Sequence, residues 1–232
     1  MKYLLLFDLD GTLILTGGAG IRAFHTTFRE LFQVKVATDG IRFHGRTDLE
    51  IIEDICQTDL HRLPTPEELQ AICDRYLAHL QDEVTSSPGY RVMPGIPELL
   101  RILSRFPDVR LGLGTGNLEG AARIKLARAD LNRYFPFGGF GSDAKERREV
   151  LRKAVERGKA LFGRTGESVQ VVVIGDTDLD VACGREVGAV TVAVATGGDS
   201  WETLTAARPD HLLRDLADPR AFLALLHLSS SA

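Results

Sequence analysis

Asp8 and Asp10 stand two residues apart, between the apolar run Tyr3-Leu4-Leu5-Leu6-Phe7 and the turn-forming pair Gly11-Thr12. The run is short, uncharged and followed by glycine, which reads as a buried strand entering a turn. Residues i and i+2 of an extended chain point the same way, so both carboxylates should project past the strand's carboxyl end. Two carboxylates so close resist joint ionisation. A divalent cation, a shared proton or both must hold them. Open α/β sheets bind ligands at this end of their strands, so the position reads as catalytic rather than structural.

A second acidic cluster, Gly175-Asp176-Thr177-Asp178-Leu179-Asp180, follows the β-branched run Val169–Ile174. A helical start would bring Asp176 and Asp180 to one face. If the two strands are neighbours, four carboxylates converge, an oxygen-rich set suited to Mg²⁺. Capping of the next helix by Asp176 or Thr177 is the plainer alternative. After a third strand, Thr115-Gly116-Asn117 offers a hydroxyl, small residues and free backbone N–H groups at a helix start, an anion site. Neither a P-loop nor a GxGxxG pattern is present. In Ser142-Asp143-Ala144-Lys145-Glu146-Arg147-Arg148, Lys145 or Arg147 could reach a phosphoryl oxygen. Basic residues at a helix start oppose the helix dipole, which favours a functional reason for them.

The elements that must position these groups alternate from Pro94 onward. Helices are expected over 96–105, 118–129, 144–162, 179–187, 201–207 and 219–228, and strands over 109–114, 135–140, 169–174, 189–195 and 211–213. Such βαβ alternation implies a parallel sheet with right-handed crossovers. Residues 14–88 read as helices without a convincing strand: 21–32, one from Asp48 as N-cap to about 59, and 66–83. Thr85–Gly89 resembles a hinge. The fold expected is an α/β, Rossmann-like core, 1–13 and 89–232, interrupted by an α-helical insert, 14–88. The tail Ser229–Ala232 is expected to fray.

The 232 residues carry a net charge of −4 and are 44% hydrophobic, which argues against a nucleic-acid surface and for an ordinary soluble protein. No apolar run approaches the ~18–20 residues that span a bilayer, and the N-terminal run is too short for a signal peptide. Three cysteines without a CxxC pair fit free thiols in a reducing cytoplasm. Monomer is the default expectation.

The ordered set of Asp8–Leu13, Leu113–Asn117 and Gly175–Asp180, with a helical insert after the first, resembles the haloacid-dehalogenase superfamily, nearer its phosphoglycolate-phosphatase-like members. The Lys-Pro often found at the third motif is missing, so Lys145 and Arg147 both stand as its cation. The resemblance implies a Mg²⁺-dependent phosphatase for a small phosphorylated metabolite. Asp8 is then the nucleophile and Asp10 the acid–base. The metal is held by Asp8, the Asp10 carbonyl, Asp176 and Asp180, and phosphate by Thr115, Gly116, Asn117 and the basic residue. The insert becomes a cap, where Arg46 of His44–Asp48 could meet an anionic leaving group such as a carboxylate. A sugar phosphomutase on the same scaffold is the nearest alternative. From another class comes a receiver-like phospho-acceptor domain. A phosphonatase would need a cap lysine, and Lys35 is the only one in 14–88.

Overall fold

The structure is a computed structural model and describes residues 1–36, 40–163 and 168–228. The tail 229–232 lies outside the described residues. Strand β1 (Lys2–Phe7) is followed by the short β2 (Ile14–Thr16) and three helices, α1 (Ala19–Phe32), α2 (Asp48–Ile55) and α3 (Pro66–Ser86). Strand β3 (Tyr90–Val92) and helix α4 (Ile96–Leu103) lead into β4 (Val109–Gly114), α5 (Glu119–Ala127), β5 (Gly138–Gly139) and α6 (Arg147–Ala160). The chain closes with β6 (Val169–Gly175), α7 (Asp178–Glu186), β7 (Val190–Val194), α8 (Trp201–Ala207), β8 (His211–Leu213) and α9 (Pro219–Leu225).

The main sheet is parallel, in the order β5-β4-β1-β6-β7-β8. β1 is apolar without alternation because helices cover both its faces. Leu5 and Phe7 enter one cluster with Leu99, Leu126 and Phe222, whereas Leu4 and Leu6 meet Leu151 and Ala154 on the other side. Phe7 is in register with Leu113 of β4 and Ile174 of β6. The chain ends of all three strands therefore open at one edge, and the two acidic clusters are neighbours.

α1 and α3 pack on each other around a second apolar cluster, with Phe24 stacked on Tyr76 at 4.0 Å. That cluster also takes in Leu118 and Ala121, where α5 of the sheet layer meets it. Two sequence expectations change here. Residues 14–88 do contain a strand: β2 pairs antiparallel with β3 across the expected hinge. Pairing of three-residue segments so far apart leaves no local pattern to read. The N-cap of α2 is Thr47, not Asp48. Thr47 forms a capping box with Glu50, which frees the Asp48 carboxylate for another partner.

Candidate active site

Asp8 follows β1 directly, and its backbone N–H donates to the Ile174 carbonyl at 2.8 Å. Its carboxylate is buried with those of Asp176 and Asp180, one oxygen of each lying within 4.8 Å of the others. Asp176 is held from two sides: Thr12 Oγ1 donates to Oδ1 at 2.9 Å and the Gly198 N–H to Oδ2 at 2.5 Å. A Cβ on Gly11, whose φ is +88°, would overlap Asp176 Oδ2. Glycine is needed at residue 11 for the turn and for the carboxylate beside it. Asp180 serves twice. Its Oδ2 accepts from Thr177 N and Oγ1, closing the capping box of α7, while Oδ1 accepts from Arg147 at 2.5 Å. The cluster thus caps α7 through Thr177 and at the same time brings two carboxylates beside Asp8.

Arg147, not Lys145, is the cation brought to Asp8. Arg147 is only 6% exposed, and its Nη2 lies 2.9 Å from Asp8 Oδ1. Its Nε is buried without a hydrogen-bond partner. Lys145 precedes α6 and pairs instead with Glu53 of α2. Arg147 resolves the dipole conflict at this helix start by folding onto carboxylates.

Asp10 leaves the acidic cluster. Its Oδ2 accepts from Asn117 Nδ2 at 2.9 Å and from Lys125 Nζ at 2.6 Å. The side chain of Asn117 therefore positions Asp10, and its Nδ2 also reaches Thr115 Oγ1 at 2.9 Å. Lys125, 5% exposed, was not singled out from the sequence. A signal existed: it falls four residues after Ala121 on the buried face of α5, a lysine in an apolar stripe.

Asp8, Asp10, Thr115, Asn117, Lys125 and Arg147 line one cavity of 320 Å³ between the sheet edge and the helices of 14–88. Arg46 lines it too, but its guanidinium is engaged by Asp54 and lies 3.6 Å from Glu50. The anionic leaving group expected at Arg46 would have to displace these acids. Asp178 does not line the cavity and pairs with Arg42 at 2.6 Å. Lys35 is exposed and does not line the cavity.

Among the described residues Arg147 is the cation that contacts Asp8 and Asp180, so the three buried carboxylates carry an excess of negative charge. Burial pushes Asp8 up to about 6, with Arg147 beside it pulling down and Asp180 and Asp10 adding to the rise. Burial raises Asp176 well above the carboxylate range, helped by Asp8 and Asp180. Burial also lifts Asp48 to about 6 against the pull of Lys125. A raised folded value favours the fold while the group is protonated, and that advantage is lost as pH rises. Without metal, stability should therefore fall between pH 5 and 7.5, by on the order of 1 kcal/mol each from Asp8 and Asp48. Thermal denaturation in EDTA checks this, at about 2–4 °C per kcal/mol.

A parallel α/β sheet with buried carboxylates at the ends of two adjacent strands belongs to the class of α/β folds that hold their ligands at this sheet edge. The chain belongs to the haloacid dehalogenase-like hydrolases, whose family model matches residues 5–194. It is 28% identical over 217 residues to a pyrophosphatase, PpaX, of Listeria monocytogenes, spanning 92% of this chain and 93% of that one. It is 30% identical over 131 residues to a phosphoglycolate phosphatase of Synechococcus elongatus, spanning 56% and 58%. The crystal structure of a hydrolase from Pseudomonas syringae superimposes with a TM-score of 0.72 at 19% identity, covering 99% of this chain and all of that one. No helix among the described residues is long and apolar enough to cross a membrane.

Proposed function

We propose that this chain is a Mg²⁺-dependent phosphatase that hydrolyses a small phosphomonoester through an aspartyl-phosphate on Asp8. The observation that carries the reading is Arg147. Its guanidinium is buried against Asp8 with Nε unpartnered, a donor that a phosphoryl oxygen would satisfy. The relatives named pyrophosphatase and phosphoglycolate phosphatase are in keeping with small phosphorylated substrates.

Asp8 attacks phosphorus, and the ester oxygen departs as the new acyl-phosphate bond forms. Asp10, whose Oδ2 is fixed by Asn117 and Lys125, has Oδ1 to give a proton to that oxygen. It then takes a proton from the water that opens the intermediate. Thr115, Gly116 and Arg147 hold the non-bridging oxygens. Asp8, Asp176 and Asp180 fit a hard divalent cation: all three are buried oxygen donors with one arginine among them. Bound there, Mg²⁺ would offset the charge between Asp8 and the incoming phosphate. Residues 14–88 act as the cap that excludes water. The three free cysteines suit a reducing cytoplasm.

Phosphate release from p-nitrophenyl phosphate tests the reading. Activity should vanish in EDTA and return with Mg²⁺. Equal rates in both conditions would remove the metal from the reaction.

A further inference from the structure

Three side chains of the cavity keep unused hydrogen-bonding capacity. Tyr76 is 1% exposed, its ring fixed parallel to Phe24 at an interplanar angle of 6°. Its hydroxyl makes no hydrogen bond among the described residues and is not sealed away from the cavity it lines. Asp48 accepts the Leu118 N–H at 2.7 Å through Oδ2, and Oδ1 has no partner among the described residues. Lys125 donates to Asp10 and to Asn117 Oδ1, each at 2.6 Å, and an ammonium has a third N–H. All three residues line the cavity beside Asp8 and Asp10. A Cβ placed on Gly20 would lie 3.5 Å from the Tyr76 hydroxyl and 3.9 Å from Lys125 Nζ. The two therefore face one space that the bare glycine leaves open.

We infer that Asp48, Tyr76 and Lys125 form a subsite for a hydroxyl group of the leaving alcohol, so that the substrate is a phosphate ester of a small polyol or sugar. The inference rests on the phosphatase reading of the same site. Asp48 in its ionised form only accepts, Lys125 only donates and Tyr76 does either. A hydroxyl, which donates and accepts at once, completes that set. A carboxylate cannot donate to ionised Asp48, and its own charge would stand beside that carboxylate. The nearby cap cation Arg46 is committed to Asp54 and Glu50. Because Lys125 touches Asp10, the recognised hydroxyl sits close to the ester oxygen that Asp10 protonates.

Three esters of similar size separate the possibilities: glycerol 1-phosphate, n-propyl phosphate and 2-phosphoglycolate. The wild type should show a kcat/KM for glycerol 1-phosphate about tenfold above propyl phosphate, and also above phosphoglycolate. Tyr76→Phe should cut the glycerol-to-propyl ratio by about tenfold, in a measure that cancels any loss of folded protein. An unchanged ratio in Tyr76→Phe, or preference of the wild type for phosphoglycolate, overturns the subsite. Calorimetric binding of the same esters to Asp8→Asn, alone and with Tyr76→Phe, keeps the two readings apart. A Tyr76-dependent preference in binding, with no ester hydrolysed by the wild type, would sink the phosphatase reading and leave the subsite standing. Hydrolysis of p-nitrophenyl phosphate with no such preference would sink the subsite alone.

Discussion

Asp8→Asn should lower kcat for p-nitrophenyl phosphate by about 10⁴-fold or more, because no acyl-phosphate can form on the amide. The loss should be chemical and not structural. Asp8 is buried and carries a raised folded pKa of about 6, so its ionised form costs stability at neutral pH. Replacing it by a neutral residue of the same shape should raise the Tm of the metal-free protein at pH 7.5. Arg147 keeps Asp180 as partner at 2.5 Å and is not orphaned by the change. Full activity in Asp8→Asn would move the nucleophile elsewhere, and a lowered Tm would overturn the electrostatic cost assigned to Asp8.

Arg147→Met should do both kinds of damage. It removes the one cation among the described residues that touches Asp8 and Asp180 and leaves three buried carboxylates with oxygens within 4.8 Å of one another. Breaking a buried charge pair from one side costs about 3–5 kcal/mol. The cost should shrink toward pH 5, where Asp8 and Asp176 protonate more readily. Transition-state oxygens also lose a fixed donor, worth about 10²–10³-fold in kcat. Arg147→Lys should restore charge and much of the stability but not the forked geometry. Lys145→Met is the control. Its ammonium pairs with Glu53 across to α2, so kcat should change less than about twofold. Urea denaturation at pH 5 and 7.5, beside steady-state kinetics, reads each effect. Loss of kcat in Lys145→Met with little in Arg147→Met would reverse the assignment.

What the sequence made legible was carried by local rules. The unbroken apolar run of β1 and the β-branched run of β6 mark strands buried on both faces. The acids that follow them could be placed at one sheet edge once the strands were taken as neighbours. The helices of the insert were readable from their spacing, because α1 and α3 each bury one stripe. Side-chain choices at the ends of elements were not. Thr47 and Asp48 are both good caps; the Thr47–Glu50 capping box decides between them, and Asp48 turns to Leu118 instead. Lys145 and Arg147 differ by two residues. The choice depends on where α6 begins, and the helix starts at Arg147 rather than near 144. Lys125 lies on a helix otherwise read for its apolar face. Its partner Asp10 is 115 residues away in sequence, a pairing no local pattern reports.

The loop that would grip phosphate is sewn to the insert. Asp48 N–H donates to the Gly116 carbonyl at 2.8 Å, Leu118 N–H donates back to Asp48, and Thr47 Oγ1 donates to the Lys145 carbonyl at 2.8 Å. A Cβ on Gly116 would overlap the Arg46 carbonyl oxygen. On the proposed function, an outward swing of the insert would break these bonds and slacken residues 116–118, so admission of substrate and assembly of the anion grip would be linked. Such linkage is reciprocal: whatever factor phosphate gains from the shut state, the shut state gains from phosphate. If phosphate is the ligand, it would act as a latch on the shut state.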